Sequence, residues 1–402
     1  MVWQARRFVG LILLLILFSP LTPAGAQGSV RDVVMAVEVA YGLNWRFTLT
    51  AESEVEIAQA ELFAAAPGLP FTYTTVLPVH SRQIALDYTL PLQTIRPWPF
   101  APITYWWVLE TDTGERITLE TATFIYGDSR FDWQNRSEGD LILHWTTQAG
   151  DFPAEAILRI ARSSQQTLNR IMPIPVPVPL NIYVYPSTSD LRSALRLGNR
   201  EWQDGHVGPD LGVILVVAVN PRTAEDDLAQ TIAQEMSRLY LYEATQAQYE
   251  VLPRWLVEGM AGVVVEADKG WGAVVQTAAA NDSLFSLVEL CTAWPTDPAQ
   301  TPLAIAQSMA LTDWLKQEFG DLGLNRLIHA YQSGQDCLAG LTTATNLSTL
   351  TLAQQWQTHL QGQPTLVRLI QQNGLWLLFV LAGFLLTVIL VFTHWEGNQP
   401  VS

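Results

Sequence analysis

From about Val30 to Tyr126, apolar and polar residues alternate with a period of two. Phe47, Leu49 and Ala51 fall on one side while Arg46, Thr48 and Thr50 take the other. Ile84, Leu86, Tyr88 and Leu90 repeat the pattern, then Ile103, Tyr105, Trp107 and Leu109. Ile117, Leu119 and Ile125 continue it after Thr111-Asp112-Thr113-Gly114, which reads as a hairpin turn. Short strands with turn signals and no helical stretch predict an immunoglobulin-like β-sandwich over 28–126. Such a module spaces, packs or binds, and nothing in it has the makings of a catalytic set.

After Asp128 the period changes. Leu141–Trp145 reads as a strand, and Ile157, Ala161, Leu168 and Ile171 share one helix face. Proline at every second position from Pro173 to Pro179 predicts an extended connector. A strand at Asn181–Tyr185 and a short helix near Asp190–Leu197 follow. The β-branched run Gly212–Val219 predicts a strand buried on both faces, and beyond Pro221 the pattern is helical. These elements predict a second, α+β domain over 127–365.

Two apolar segments change the picture. Residues 1–26 carry Arg6 and Arg7, an apolar run from Phe8 to Phe18 and the cleavage signature Ala24-Gly25-Ala26, as a secretory signal peptide does. Gly374–Thr393 is twenty residues without a charge, flanked by Trp376 and Trp395. That length predicts one transmembrane helix over 374–393 and a cytoplasmic tail over 394–402. The expected location is therefore the cell membrane, single-pass, with the domains outside the cytoplasm.

Charge and composition remove other classes. A formal charge of -16 excludes a nucleic-acid partner, which needs a basic face, and 49% hydrophobic residues exclude wholesale disorder. Two cysteines exclude a Cys-rich zinc ribbon. Cys291 and Cys337, outside the cell, would either form a disulfide or remain as two buried thiols.

The chemistry concentrates on two helices. The first opens at Thr223 and Asp226, which resemble a capping box, and contains Gln234-Glu235-Met236-Ser237-Arg238. The second reads Pro253-Arg254-Trp255-Leu256-Val257-Glu258-Gly259-Met260-Ala261. A buried strand, H-E-x-x-H on a helix and P-x-W-L-x-E-G-x-A on the next is the pattern of gluzincin metallopeptidases. This chain resembles that family, and more closely the membrane-anchored bacterial proteins with a peptidase MA-like domain. Phe131-Asp132-Trp133, Ala306-Gln307-Ser308, Trp314-Leu315 and Phe319-Gly320 extend the resemblance. It implies a thermolysin-like fold for the second domain.

By that resemblance, Gln234 and Arg238 stand at the two zinc-ligand histidine positions. Glu235 stands at the general-base position and Glu258 at the third-ligand position. Gln is a poor zinc ligand, and Arg keeps its proton and repels a dication. None of His80, His144, His206, His329, His359 and His394 lies on either helix, and His206, before the buried strand, is the one nearest in sequence. The expectation is a degenerate motif without a cofactor, Arg238 pairing with Glu258 where the metal would sit or else pointing to solvent. Trp255 either lines the cleft or belongs to the core.

The implied function is a non-catalytic peptide- or protein-binding or scaffold protein of the cell envelope. An extended peptide in the groove beside Gly212–Val219 is the expected partner, besides the membrane. The alternatives are a zinc metallopeptidase with unusual ligation, and a module whose sandwich does the work.

Overall fold

Alternating side chains build the first part of the chain into strands, and one of them explains its shape. The computed structural model describes residues 30–93, 95–147, 152–197, 206–218, 220, 222–265 and 270–360. It divides into two compact units, one up to Ser129 and one from Arg130. The first holds β1 (Val30–Ala40), β2 (Asn44–Ala65), β3 (Tyr73–Pro91), β4 (Pro102–Thr111), β5 (Arg116–Thr118) and β6 (Ala122–Ile125). All six belong to one hydrogen-bonded sheet, in the order β1-β2-β4-β5, with β3 on β2 and β6 on β4.

β2 pairs along its whole length with β3, but on its other side it pairs first with β1 and then, from Ile57, with β4. The register shifts between Glu52 and Gln59, where the strand bulges. Phe47 lies before the bulge, and Tyr105 pairs with Ala64 beyond it. In a straight strand those places would be about 56 Å apart. The rings of Phe47 and Tyr105 nevertheless lie 5.2 Å apart. The bulge therefore folds one sheet back on itself around Trp45, Phe47, Leu62, Tyr105 and Trp107, all buried. The expected immunoglobulin-like sandwich of two sheets is corrected to this single folded sheet. Alternation marks the strands, but it does not reveal that one of them supplies both layers.

The second unit is built on five strands: β7 (Trp133–Glu138), β8 (Leu141–Thr146), β9 (Leu180–Tyr185), β10 (His206–Gly208) and β11 (Val213–Val217). Their order is β10-β11-β9-β8-β7. β8, β9 and β11 run parallel, and β7 and β10 are antiparallel edges. Leu143, Ile182, Val184, Ile214 and Val216 join one core with residues of α1 (Ala154–Ile171), among them Ile157 and Leu168. α2 (Thr188–Leu197) lies between β9 and β10 in the chain.

Helices make up the rest: α3 (Ala224–Thr245), α4 (Arg254–Gly259), α5 (Ala261–Val264), α6 (Trp271–Ala280), α7 (Leu287–Thr292), α8 (Thr301–Gln332), α9 (Cys337–Thr345) and α10 (Thr349–Leu360). α3 lays Leu228, Ile232 and Met236 into the sheet's core. The expected capping box at its start does not form. Thr223 instead donates its hydroxyl to Asp227 Oδ2 at 2.7 Å, and the first turn is acidic at Glu225, Asp226 and Asp227, as the helix dipole favours. α8 bends at Gly320, whose φ of 69° suits glycine.

The expected membrane helix at 374–393, the signal peptide at 1–26 and the tail at 394–402 all lie outside the described residues. Among the described residues no helix is long and apolar enough to cross a membrane. The two longest carry charges throughout, Glu235, Arg238 and Glu243 on α3 and Asp313, Lys316 and Glu318 on α8. The fold class and the single-pass location are corrected accordingly, to a sheet-rich unit followed by a largely helical one.

Cys291 of α7 and Cys337 of α9 form the disulfide that the sequence allows, 46 residues apart and with 5.6 Å between Cα atoms. Trp255 belongs to the core, fully buried, and donates its indole N–H to Cys337 Sγ at 3.1 Å. In the chain-entropy model, closing such a loop contributes about 4 kcal/mol. Replacing both cysteines with serine is expected to remove most of that, read as a fall in the denaturant midpoint. An unchanged midpoint would show that the bridge merely decorates a helix layer that is already closed.

Candidate functional site

Two buried polar positions on neighbouring helices define the site. Glu235 of α3 and Glu258 of α4 are only 1% and 6% exposed, in surroundings that are otherwise mostly apolar. Arg238, on the same helix and three residues after Glu235, donates from Nη1 to Glu235 Oε1 at 2.6 Å. Its Nη2 reaches Glu258 Oε2 at 3.4 Å. Gln234 donates from Nε2 to that same oxygen at 2.8 Å. The other oxygen of Glu258 faces Arg254 Nε at 3.7 Å, one turn earlier on α4. Arg238 thus turns inward and bridges the two helices.

Burial pulls the Arg238 guanidinium's pKa down, the carboxylates of Glu235 and Glu258 push it up, and the balance is upward. It therefore carries its charge at any ordinary pH. Tyr249, in the 3-10 turn after α3, is held protonated as well, its pKa pushed up to about 12 mainly by burial. The Arg238 charge works against that rise, and Glu235, Glu250 and Glu258 work with it. Sequence reasoning misses both Tyr249 and Arg254. A lone tyrosine in a turn gives no signal, whereas Arg254 stands four residues before Glu258, a spacing that pairs charges on a helix.

The backbone that presents Glu258 is fixed by close packing. A Cβ on Gly259 would stand 2.2 Å from Thr312 Oγ1 and 2.6 Å from the Ser308 carbonyl oxygen. One on Gly262 would meet the backbone of Met309 at 2.8 Å. The glycine of the E-G-x-A pattern therefore lets α4 lie directly on α8. The Ala306-Gln307-Ser308 stretch supplies the matching surface. Ser308 and Thr312 turn their hydroxyls back onto their own helix. Gln307, fully buried, clamps the backbone of Phe285 with both ends of its amide.

A cavity of about 770 Å³ opens on the same face of α3, at Gln230, one turn before Gln234. Trp271, Ile305 and Met309 give it an apolar wall, with Thr296 and Thr301 as neutral polar groups. This volume falls in the range of small-ligand pockets. His206 pairs in the β10–β11 ladder opposite Leu215, on a strand that lies against α3. β10 pairs with Val213, Ile214 and Leu215 of β11, so the outer strand on that side of the sheet is β10.

This donor set does not fit a zinc ion. Arg238 cannot ligate, the Gln234 amide nitrogen is turned to Glu258, and the remaining candidates are two carboxylates already paired with cations. Among the described residues, no group of three or more His, Cys, Asp or Glu is placed to hold a metal.

The sequence model of the Peptidase MA superfamily matches residues 160–362, half of the chain. The chain belongs to that superfamily. No curated protein matches it in sequence. Among solved structures it is similar to native yeast LTA4 hydrolase, with 10% identity, a TM-score of 0.36 and coverage of 82% of this chain and 67% of that one. The yeast LTA4 hydrolase complex with Bestatin gives 9% identity, a TM-score of 0.34 and coverage of 85% and 69%. At such TM-scores the likeness bears no argument about the site.

Because Gly259 meets backbone on α8, Gly259→Ala is expected to force the two helices apart and lower stability by roughly 1–3 kcal/mol. Urea unfolding of the purified variant measures this. A stability equal to the parent's would mean that the α4–α8 contact has slack that the packing does not suggest.

Proposed function

We propose that this member of the peptidase MA superfamily is a binding protein and not a peptidase, with Arg238 in the place of the metal. The observation that carries the reading is the inward turn of Arg238, 2.6 Å from Glu235 and 3.4 Å from Glu258. A peptidase of this type needs a carboxylate free to take a proton from an activated water. Here the carboxylate at the general-base position is engaged by a fixed guanidinium, and no residue in the cluster can polarise a water in the metal's stead.

What the fold keeps is the means of holding a ligand. The cavity beside Gln230 lies on the same helix face as the altered motif, and its described lining is neutral. An uncharged, largely apolar segment of a peptide or protein partner, several side chains long, matches it in size and polarity.

Metal analysis of the full chain after exposure to excess zinc and buffer exchange tests this directly. The expected content is below about a tenth of an equivalent, set by the poor ligand quality of Gln and Arg. Peptide hydrolysis is expected to be absent and unaffected by a chelator. Near one equivalent of zinc, lost in Glu258→Gln, would instead establish a metallopeptidase with unusual ligation.

A further inference from the structure

We infer that Arg238 and Arg254 together replace the charge of one divalent cation, so that the altered site is a neutral four-charge lock between α3 and α4. The inference rests on the reading above, that Arg238 stands where the metal would be. It adds that one guanidinium is not enough, and that an arginine outside the family motif supplies the rest.

Counting charge leads to this. Two carboxylates, from Glu235 and Glu258, would be neutral with one dication and two uncharged histidines. Arg238 alone would leave the pair one negative charge in excess, in a place where neither carboxylate can recruit much water. Arg254 Nε, 3.7 Å from Glu258 Oε1, restores neutrality. Its side chain is 59% exposed, at the rim of the cluster, and its guanidinium carbon lies 5.1 Å from the Trp294 ring centroid. The two arginines also share Glu258 between them, Arg238 with Gln234 taking Oε2 and Arg254 facing Oε1. Arg238 also pairs with Glu235, at 2.6 Å.

A lock of this kind keeps the geometry of the metal site while changing what fills it. Gln234 and Arg238 are one turn apart on one face of α3, and both reach the same oxygen of Glu258. Histidines at those two positions would therefore converge on that carboxylate. In such a variant Arg254 becomes a surplus positive charge a few ångströms from the ion.

The test measures zinc affinity in the full chain by competition with a chromogenic chelator. Q234H/R238H is expected to take up about one equivalent of zinc. Adding R254Q to that pair is expected to tighten binding by about tenfold at low salt, the gain shrinking as salt is added. Failure of Q234H/R238H to bind zinc overturns the inference, and so does an affinity that R254Q leaves unchanged.

The lock itself is tested without metal. R238M should lower the melting temperature by roughly 10 °C, since it takes the guanidinium from the buried Glu235 and leaves Glu258 with Gln234 and Arg254 only. R238M with E235Q and E258Q should recover most of that loss. No recovery would make Arg238 a packing residue and overturn the charge argument. If R238M does not fold, the triple variant's melting temperature and the zinc titration still decide the matter. Zinc bound by the unaltered chain is a separate outcome, which removes the functional reading itself.

Discussion

The helical layer of this protein is organised around a charge that burial makes costly. Two carboxylates face one another across α3 and α4 with almost no access to water. Two like charges so deeply buried are costly unless cations or donors pair with them. In a zinc peptidase the ion resolves that conflict. Here the neighbouring donors resolve it instead, Arg238 reaching both carboxylates while Gln234 and Arg254 attend to Glu258. The cluster therefore fastens two helices together.

These contacts are possible because α4 has little freedom of its own. It is only six residues long, too short to be stable alone, and three neighbours hold it. Gly259 seats it against the backbone of α8, and Trp255 is buried with its N–H on the disulfide sulfur. Glu258 ties it to α3, which is anchored by Leu228, Ile232 and Met236 in the core over the sheet. The disulfide between α7 and α9 thus supports the site at one remove, through Trp255. The cavity at Gln230 lies along the same rigid face, so its wall is held by the elements that hold the cluster.

Much of this is legible in the chain, and the misses have physical causes. Periodicity locates the parallel strands and α1, and the E-G-x-A spacing locates Gly259, whose small size α8 requires. Helical spacing brings Arg238 to Glu235, but its reach to Glu258 is what the family resemblance implies, and the cysteines leave a disulfide and two buried thiols equally open. The folded-back sheet cannot, because the bulge in β2 lies in Ser53-Glu54-Val55-Glu56, which carries no glycine or proline to mark it. β10, with three residues, is too short for any period to show, yet it and not β11 is the outer strand on that side of the sheet. Thr223 bears a capping residue's chemistry, but Asp227 competes for its hydroxyl. Arg254 escapes notice because its partner lies a turn away in a motif whose x positions invite no scrutiny.

The choice of arginine at the second ligand position is itself informative. A lysine is a point charge that loses its proton when buried, and it has no second face with which to reach another helix. A guanidinium stays charged and presents separate N–H groups, one toward Glu235 and another toward Glu258. It is the side chain that can hold two carboxylates from different helices at fixed distances without a metal. Gln234 fits the same logic: it is uncharged, so it adds a hydrogen bond to Glu258 without upsetting the balance that the two arginines complete. On the proposed reading the two positions work together, since either change alone would leave a half-built metal site or an unbalanced pair of charges.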